Sequence, residues 1–247
     1  MHASRETQRR LWTDPSQLAY HERQLASPYR STIHLGRFMR SLPLEQGQAL
    51  DVGCGAGSNM LYLSTQLPGF RWTGLDIAGG MLFDLARKRF EACGREATFV
   101  QGDLYQLSRI FRDGFNLVLC TQTLSWLPEW EPALDQLLDV ARGWLVLSSL
   151  FTDFDVDVQS ELIDHTMPKE LAPYYVRVFS MRRFRERCEA RGCREVIARD
   201  FDMDVDLPAP ASGGLGTYTR TLRDGRRAQF TGPLFLPWKF VAIRMGE

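Results

Sequence analysis

The stretch Asp51-Val52-Gly53-Cys54-Gly55-Ala56-Gly57 separates a short apolar run, 48–52, from a segment, 58–67, in which apolar residues recur at helical spacing. This order predicts a strand, a glycine turn and a helix. Because glycine has no Cβ, a ligand can approach the main chain of such a turn and the amides that begin the helix. The stretch is therefore a candidate site for a polar or negatively charged ligand, with a tight packing turn as the alternative.

Apolar runs and helical patterns alternate along the rest of the chain. Further strands are predicted at 70–75, 97–101, 115–120, 144–148, 195–207 and 240–243, and helices at 80–92, 134–141 and 181–191. Strands that alternate with helices form a parallel sheet covered on both faces. Together with the first strand, the pattern predicts an α/β fold with a mostly parallel, seven-stranded sheet.

Two additions flank this predicted sheet. Residues 1–47 contain two predicted helices and are interpreted as an N-terminal helical lid, which leaves 48–247 as the main domain. Asp224-Gly225, between two short β-prone runs, is a strong hairpin signal and marks 208–237 as a β-hairpin addition. Because a two-stranded ribbon is marginal unless it packs on something, the hairpin is expected either to serve the substrate site or to form the contact of a homodimer.

Three acidic residues fall near the carboxyl ends of successive predicted strands: Asp51, Asp76 and Asp103. Ligands of open parallel sheets bind along that edge, and a carboxylate at the end of the second strand can accept both hydrogen bonds of a ribose diol. A dinucleotide fingerprint would have glycine where this chain has Ser58, and a pyrophosphate would be repelled by Asp51. An adenosine joined to a cationic sulfonium and an amino acid is compatible with both residues.

The ordered motifs of residues 48–150 resemble those of class I S-adenosylmethionine-dependent methyltransferases, beginning with the glycine stretch at 51–57. The resemblance implies a Rossmann-like, doubly wound fold and S-adenosylmethionine as the cofactor, with S-adenosylhomocysteine as its product. It also implies a set of cofactor-binding residues, in which the glycines pass under the methionine and ribose, Asp51 reaches the amino group, and Asp76 holds the ribose. Ile77 and Leu104 would flank the adenine, Asp103 would bind its amine and Thr121 would meet the methionine, which completes the set Asp51, Gly53, Gly55, Gly57, Asp76, Ile77, Asp103, Leu104 and Thr121.

A narrower resemblance links the chain to a bacterial group that is often encoded among genes for cell-surface polysaccharides. It rests on Gln122-Thr123-Leu124-Ser125-Trp126-Leu127-Pro128, Ser148-Ser149-Leu150-Phe151, Tyr174-Tyr175, Gly216-Thr217-Tyr218-Thr219, Gly232-Pro233 and Pro237-Trp238. It implies methyl transfer to oxygen or nitrogen of a small polar metabolite, such as a sugar, a nucleotide-sugar or a surface-glycan precursor. A natural-product methyltransferase and a non-catalytic S-adenosylmethionine-binding regulator remain alternatives.

The acceptor site is predicted from the loops at the same edge of the sheet. Gln122 and Trp126 follow the fourth strand, where the resembled family presents the transferred methyl, although Trp126 is equally compatible with a core position. Of the four histidines, His165 is the candidate general base, needed if the acceptor is an alcohol, and the other three are expected to be surface or helix residues. Catalytic roles are thus predicted for Gln122, Trp126 and His165, and acceptor contacts for Tyr29, Gln122, Trp126, Ser149 and Tyr175.

The amino-acid composition limits the partners, metal sites and cellular location that can be expected. Thirty basic and thirty acidic residues leave a formal net charge of zero, which disfavours nucleic acid and anionic membranes as partners. The five cysteines form no C-x-x-C pair, so neither a zinc site nor any other metal site is predicted, and a reducing cytoplasm is the expected location. A small-molecule acceptor is the expected partner.

Overall fold

The computed structural model describes residues 18–166, 174–211 and 213–246, so the first part of the predicted lid, residues 1–17, lies outside the described residues. Seven α-helices are described, α1 to α7 in chain order: Leu18–Ala26, Arg30–Arg40, Ser58–Gln66, Gly80–Ala92, Leu107–Ile110, Trp130–Val140 and Met181–Ala190. Twelve strands, β1 to β12, are described: Gly47–Val52, Phe70–Asp76, Thr98–Gln101, Phe115–Thr121, Ala141–Thr152, Val158–Leu162, Tyr174–Ser180, Glu195–Asp200, Thr217–Thr221, Arg227–Thr231, Leu234–Phe235 and Trp238–Arg244.

The central sheet has the strand order β3-β2-β1-β4-β5-β12-β8. The pairings from β3 to β5 are parallel, whereas β12 runs antiparallel to both β5 and β8. The seven predicted strands are these seven, so the predicted α/β, doubly wound, mostly parallel sheet is confirmed. Because β1 lies between β2 and β4, the glycine turn that follows it opens at the middle of the carboxyl edge.

Two hydrophobic clusters cover the faces of the sheet. One contains Phe38 from α2 and Phe90 from α4, and the other contains Leu137 from α6 and Phe184 from α7. Phe38 stacks on Phe240 of β12 with ring centroids 5.5 Å apart. Full burial of one such side chain contributes about 1.5–3 kcal/mol, so α2 is an integral part of the main core.

The structure departs from the predicted strands in two places. The strand predicted at 195–207 ends at Asp200, because Phe201 turns inward to pack against His34 and Phe240, with ring centroids 5.3 and 4.9 Å away. Strands β6 and β7, which the sequence reading missed, pair with each other and join the sheet beside β5. Strand β6, Val158–Leu162, is mostly exposed, so its sequence lacks the apolar alternation that identifies a half-buried strand.

The predicted C-terminal hairpin is confirmed. Strands β9 and β10 pair antiparallel around Gly225, whose φ of 82° is readily adopted by glycine in such turns. The short strand β11 pairs with β10 and completes a small, separate sheet. The hairpin is tied to the preceding segment by a hydrogen bond from the Thr219 N–H to the Leu207 carbonyl, at 2.9 Å.

Within the described ranges, no helix is both long enough and apolar enough to cross a lipid bilayer.

Candidate cofactor and acceptor site

A cavity of about 600 Å³ opens at the carboxyl ends of β1, β2 and β4. This volume is in the range of small-molecule and cofactor sites, about 300–1,000 Å³. Its wall is formed by Tyr20, His21, Gln24, Gly53, Cys54, Gly55, Ser58, Asn59, Leu75, Asp76, Ile77, Leu82, Gln101, Gly102, Asp103, Leu104, Tyr105, Gln106, Thr121, Gln122, Thr123, Trp126, Leu127 and Pro128. Seven of the nine predicted cofactor-binding residues are in this wall; Asp51 and Gly57 are outside it.

The glycine turn is held in the left-handed region of backbone space. Gly53, Gly55 and Gly57 have φ values of 75°, 54° and 74°, which side chains rarely adopt. Gly53 and Gly55 face the cavity, whereas a Cβ on Gly57 would lie 3.0 Å from the Phe99 ring in the core. Gly57 thus allows the turn to pack tightly and caps helix α3, and its contact with the cofactor stays a prediction.

Asp76 is fixed in place by main-chain hydrogen bonds at the end of β2. Its Oδ2 accepts from the Gly55 N–H and its Oδ1 from the Ala78 N–H, both at 2.8 Å. A carboxylate oxygen can accept more than one hydrogen bond, so each oxygen keeps capacity for a ligand hydroxyl. The carboxylate therefore both braces the glycine turn and offers the two acceptors that a ribose diol requires.

Asp51 is the most unusual group beside the cavity. Its side chain is 1% exposed, and neither carboxylate oxygen has a hydrogen-bond partner among the described residues. Burial, reinforced by the charge of Asp76, raises the pKa of Asp51 to about 8. A buried, unpaired carboxylate is costly, and a cationic ligand group bound nearby would reduce that cost.

The far end of the cavity, next to β3, is suited to a flat ring. Ile77 and Leu104 lie in its wall together with Asp103. One oxygen of Asp103 accepts from the Tyr105 N–H at 2.9 Å, and this fixes the orientation of the carboxylate. The opposite end, next to β4, carries Thr121, whose Oγ accepts from the Asn59 amide at 2.8 Å, while the Asn59 oxygen accepts from Thr32 at 2.6 Å.

Gln122 and Trp126 both line the cavity beyond Thr121. Gln122 has a φ of 54°, the one positive φ at a non-glycine position in the part of the chain that the structure describes. Such strain at a non-glycine residue is found mostly at functional sites. Trp126 is half-buried and packs partly on the core, so it serves as both wall and core residue.

Four other predicted site residues lie outside the large cavity. Tyr29 borders a second cavity of about 20 Å³, which it shares with Gln122. Ser149 is fully buried and bonded to Ser125, and Tyr175 is 5% exposed within the β6–β7 pair, so neither can reach an acceptor in the cavity. His165 is exposed and lies outside both cavities, so its position does not support the predicted role of general base.

The position of His165 follows from its neighbour Asp164. The Asp164 carboxylate accepts from the N–H and hydroxyl of Thr166 and from the Leu215 N–H, with distances of 2.6–2.8 Å. These hydrogen bonds tie the segment to the loop before the hairpin, away from the cavity wall.

The roof of the cavity comes from helix α1, which belongs to the predicted N-terminal lid, although none of its lining side chains was predicted. Tyr20, His21 and Gln24 line the cavity, and the Gln24 amide donates to the Tyr20 hydroxyl at 2.8 Å. Burial raises the pKa of Tyr20 to about 12 and lowers the pKa of His21 below its ordinary value, while Asp76 acts on His21 in the opposite direction. The Tyr20 hydroxyl is therefore neutral near pH 7, and burial favours the neutral form of the His21 ring.

Comparison with known proteins agrees with this geometry. Residues 49–143 match the family described as "Methyltransferase domain", which is less than half of the chain. Trans-aconitate 2-methyltransferase of Deinococcus radiodurans is 30% identical over 101 residues, which cover 41% of this chain and 36% of that protein.

Two solved structures extend the similarity to nearly the whole chain. A magnesium protoporphyrin IX methyltransferase from Synechocystis PCC 6803 with bound S-adenosylmethionine, 17% identical, covers 98% of this chain and 90% of its own with a TM-score of 0.54. An O-methyltransferase family protein from Burkholderia thailandensis, 10% identical, covers 96% of this chain and 62% of its own with a TM-score of 0.57. The fold is the Rossmann-like methyltransferase fold.

Proposed function

We propose that this protein is an S-adenosylmethionine-dependent methyltransferase that acts on oxygen or nitrogen of a small polar metabolite, of the sugar, nucleotide-sugar or surface-glycan-precursor class. One observation carries the proposal. A single cavity brings Gly55, Asp76 and Asp103 together at the carboxyl edge of the sheet, beside the unpaired, buried carboxylate of Asp51.

The residues of the cavity fit the parts of the cofactor in order. The two oxygens of Asp76 suit the ribose diol, and Asp103 with Ile77 and Leu104 suits the adenine amine and ring. The unpaired carboxylate of Asp51 complements the positive charges of the methionine amino group and the sulfonium. A Cβ on Gly55 would lie only 2.5 Å from the His21 ring, so glycine is needed where helix α1 covers the turn.

When bound, the cofactor supplies a methyl group on a positively charged sulfur. The contribution of the chain is to align the acceptor with that group and to exclude water, which is worth effective molarities of about 10⁵ M or more. The hydrogen-bonded series Thr32–Asn59–Thr121 holds the methionine end of the cavity rigid. Gln122 and Trp126 then orient the acceptor from the loop after β4.

The acceptor end of the cavity combines neutral polar groups with one flat aromatic face. Gln24, Gln122 and Thr123 offer amide and hydroxyl groups, and Trp126 offers a ring against which a sugar can stack. This combination supports a polar, hydroxyl-bearing acceptor. The apolar patch of Trp126, Leu127 and Pro128 favours the second candidate, a natural-product acceptor with a larger hydrophobic surface.

The experiment has two stages. Calorimetric titration with S-adenosylmethionine, S-adenosylhomocysteine and NAD should show one-to-one binding of the first two and no binding of NAD. Formation of S-adenosylhomocysteine is then measured with panels of sugars and nucleotide-sugars, with trans-aconitate as a carboxylate acceptor and with aromatic natural products. Turnover with a polar acceptor supports the proposal. Binding without turnover on any panel favours a regulatory protein, and NAD binding in place of S-adenosylmethionine contradicts the proposal.

A further inference from the structure

His21 covers the centre of the glycine turn. A Cβ placed on Gly55 would lie 2.5 Å from the imidazole Cε1 and 2.9 Å from Nδ1, so the ring rests directly on this glycine. No other residue type at position 55 would leave room for the ring there. The histidine, from helix α1, and the glycine, from the turn after β1, thus form one contact across the cavity.

The same corner contains the carboxylate proposed to bind the ribose. Asp76 accepts from the Gly55 N–H at 2.8 Å, and its charge acts on the His21 ring. His21 therefore lies beside the two oxygens that the cofactor hydroxyls require. A positive charge on the ring would pair with Asp76 and compete with those hydroxyls.

In the part of the chain that the structure describes, Asp76 is the main charge that acts on His21. On its own helix, Tyr20 is neutral, a hydrogen bond links His21 to Gln24, and the side chains of Glu22 and Arg23 are exposed. Helices α3 and α4 pack against α1. Helix α3 carries no acidic or basic side chain. The charged residues of α4 are all exposed: Asp84, Arg87, Lys88, Arg89 and Glu91. The first two of them pair with each other.

We propose that the His21 imidazole is part of the cofactor site: it covers the Gly55–Asp76 corner, where the ribose binds, and the cofactor enters when the ring is neutral. This inference rests on the proposed function and assigns a role to a residue that the cofactor motifs do not include. In the protonated form the ring pairs with Asp76 and holds helix α1 closed on the corner. In the neutral form Asp76 is released to the ribose.

The proposal has a thermodynamic consequence. If the cofactor binds the form with neutral His21, its affinity falls by up to about tenfold for each pH unit below the pKa of the free protein's His21. Burial lowers that pKa from its ordinary value of 6.5, so the loss belongs to mildly acidic pH. Asp51 adds its own pH dependence to the affinity, because its carboxylate is proposed to bind the amino group of the cofactor. A ligand that lacks this amino group therefore reports the pH dependence that comes from His21.

The test uses 5′-methylthioadenosine, which keeps the adenosine and lacks the amino acid, alongside S-adenosylhomocysteine. Dissociation constants are measured by calorimetry from pH 5 to 7.5 for the wild type, His21→Gln and the control His34→Gln. His34 is a second histidine of the N-terminal helices, lies outside both cavities and contacts Asp204 at 3.2 Å. We expect the affinity for methylthioadenosine to fall as the pH is lowered in the wild type and in His34→Gln. In His21→Gln the affinity should be nearly constant over the same pH range.

Other results of these titrations would contradict either the role of His21 or the proposed function. Equal pH dependence in His21→Gln and the wild type, or loss of binding by a folded His21→Gln at pH 7.5, overturns the proposal. If no protein binds either ligand at any pH, the proposed function itself fails. Should His21→Gln not fold, the pKa of His21 can be followed in the wild type by NMR: a lower pKa with methylthioadenosine than without it supports the proposal, and an unchanged pKa overturns it.

Discussion

The floor and the roof of the cavity are built in different ways. The floor consists of the glycine turn, Asp76 and Asp103, which sit at the ends of adjacent strands and are fixed by main-chain hydrogen bonds. The roof is helix α1, Leu18–Ala26, which supplies three side chains and touches the floor through the contact of His21 with Gly55. The floor is thus specified by local sequence, whereas the roof depends on where a separate helix packs.

The largest effect is expected from Gly55→Val, which acts where floor and roof meet. A valine there combines a φ of 54° with a collision against His21, so cofactor binding should be abolished. Gly94→Val is the matched control, because Gly94 has a φ of 61° and open space around its Cβ position. Calorimetry with S-adenosylhomocysteine and thermal unfolding of both variants separate backbone strain from the loss of ligand space. Retained binding in a folded Gly55→Val protein would show that the turn is only structural.

Asp51→Asn tests whether the buried carboxylate of Asp51 destabilises the protein when no ligand is bound. The Asp51 carboxyl group loses its proton near pH 3.8 in the unfolded chain and near pH 8 in the folded protein. Between these values deprotonation favours the unfolded chain. The free energy of unfolding of the wild type therefore decreases as the pH rises through this range. The effect is on the order of several kcal/mol in total. Without cofactor, the melting temperature of Asp51→Asn should therefore exceed that of the wild type by a margin that grows from pH 5 to 8.

The control for this effect is Asp84→Asn, whose carboxylate is 67% exposed and should show no such margin. Added S-adenosylhomocysteine should stabilise the wild type more than Asp51→Asn and thereby narrow the difference. Parallel melting profiles of the two proteins across this pH range would contradict the account of Asp51.

Asp76→Ala removes the ribose acceptors from the floor and leaves the roof in place. Hydrogen bonds to a charged group are worth about 1.5–3 kcal/mol, and we expect a loss of about 2–3 kcal/mol, or roughly 30- to 150-fold in affinity. S-adenosylhomocysteine binding by calorimetry checks this, with circular dichroism to confirm the fold, since Asp76 also holds the Gly55 N–H. Unchanged affinity would show that the ribose binds elsewhere.

The smallest effect separates the backbone of Gln122 from its side chain. Gln122→Gly and Gln122→Ala both remove the amide, but only glycine relieves the φ of 54°. The glycine variant should therefore be more stable than the alanine variant by about 1 kcal/mol, measured by chemical denaturation. Both should keep cofactor affinity and lose methyl transfer to an identified acceptor. Equal stabilities would mean that the loop relaxes when the side chain is removed.

The sequence was sufficient for the sheet and for most of the floor. The strand, glycine turn and helix at 47–66 and the hairpin around Gly225 follow from local patterns, because left-handed turns select glycine and buried strands select apolar runs. Even here, local pattern did not distinguish Gly57, which packs on Phe99, from the two glycines that face the cavity.

The roof and the acceptor wall were predicted less well, for a physical reason. Tyr20, His21 and Gln24 lie on a polar helix whose pattern is the same whether that face meets solvent or a cavity. Ser149 was predicted from a motif shared with the resembled group, and His165 from a segment expected to cover the substrate. A hydrogen bond with Ser125 buries Ser149, and contacts with the loop at Leu215 direct the His165 segment elsewhere.

A crystal structure of the complex with S-adenosylhomocysteine tests the central claim most directly. The account predicts the ribose hydroxyls on Asp76, the adenine between Ile77 and Leu104, the amino group directed toward Asp51, and His21 packed over the ribose. Gln122 and Trp126 should then lie within about 10 Å of the sulfur, close enough for direct or water-mediated contact with an acceptor. A ligand bound outside this cavity, or bound in it with the ribose away from Asp76, would contradict the account.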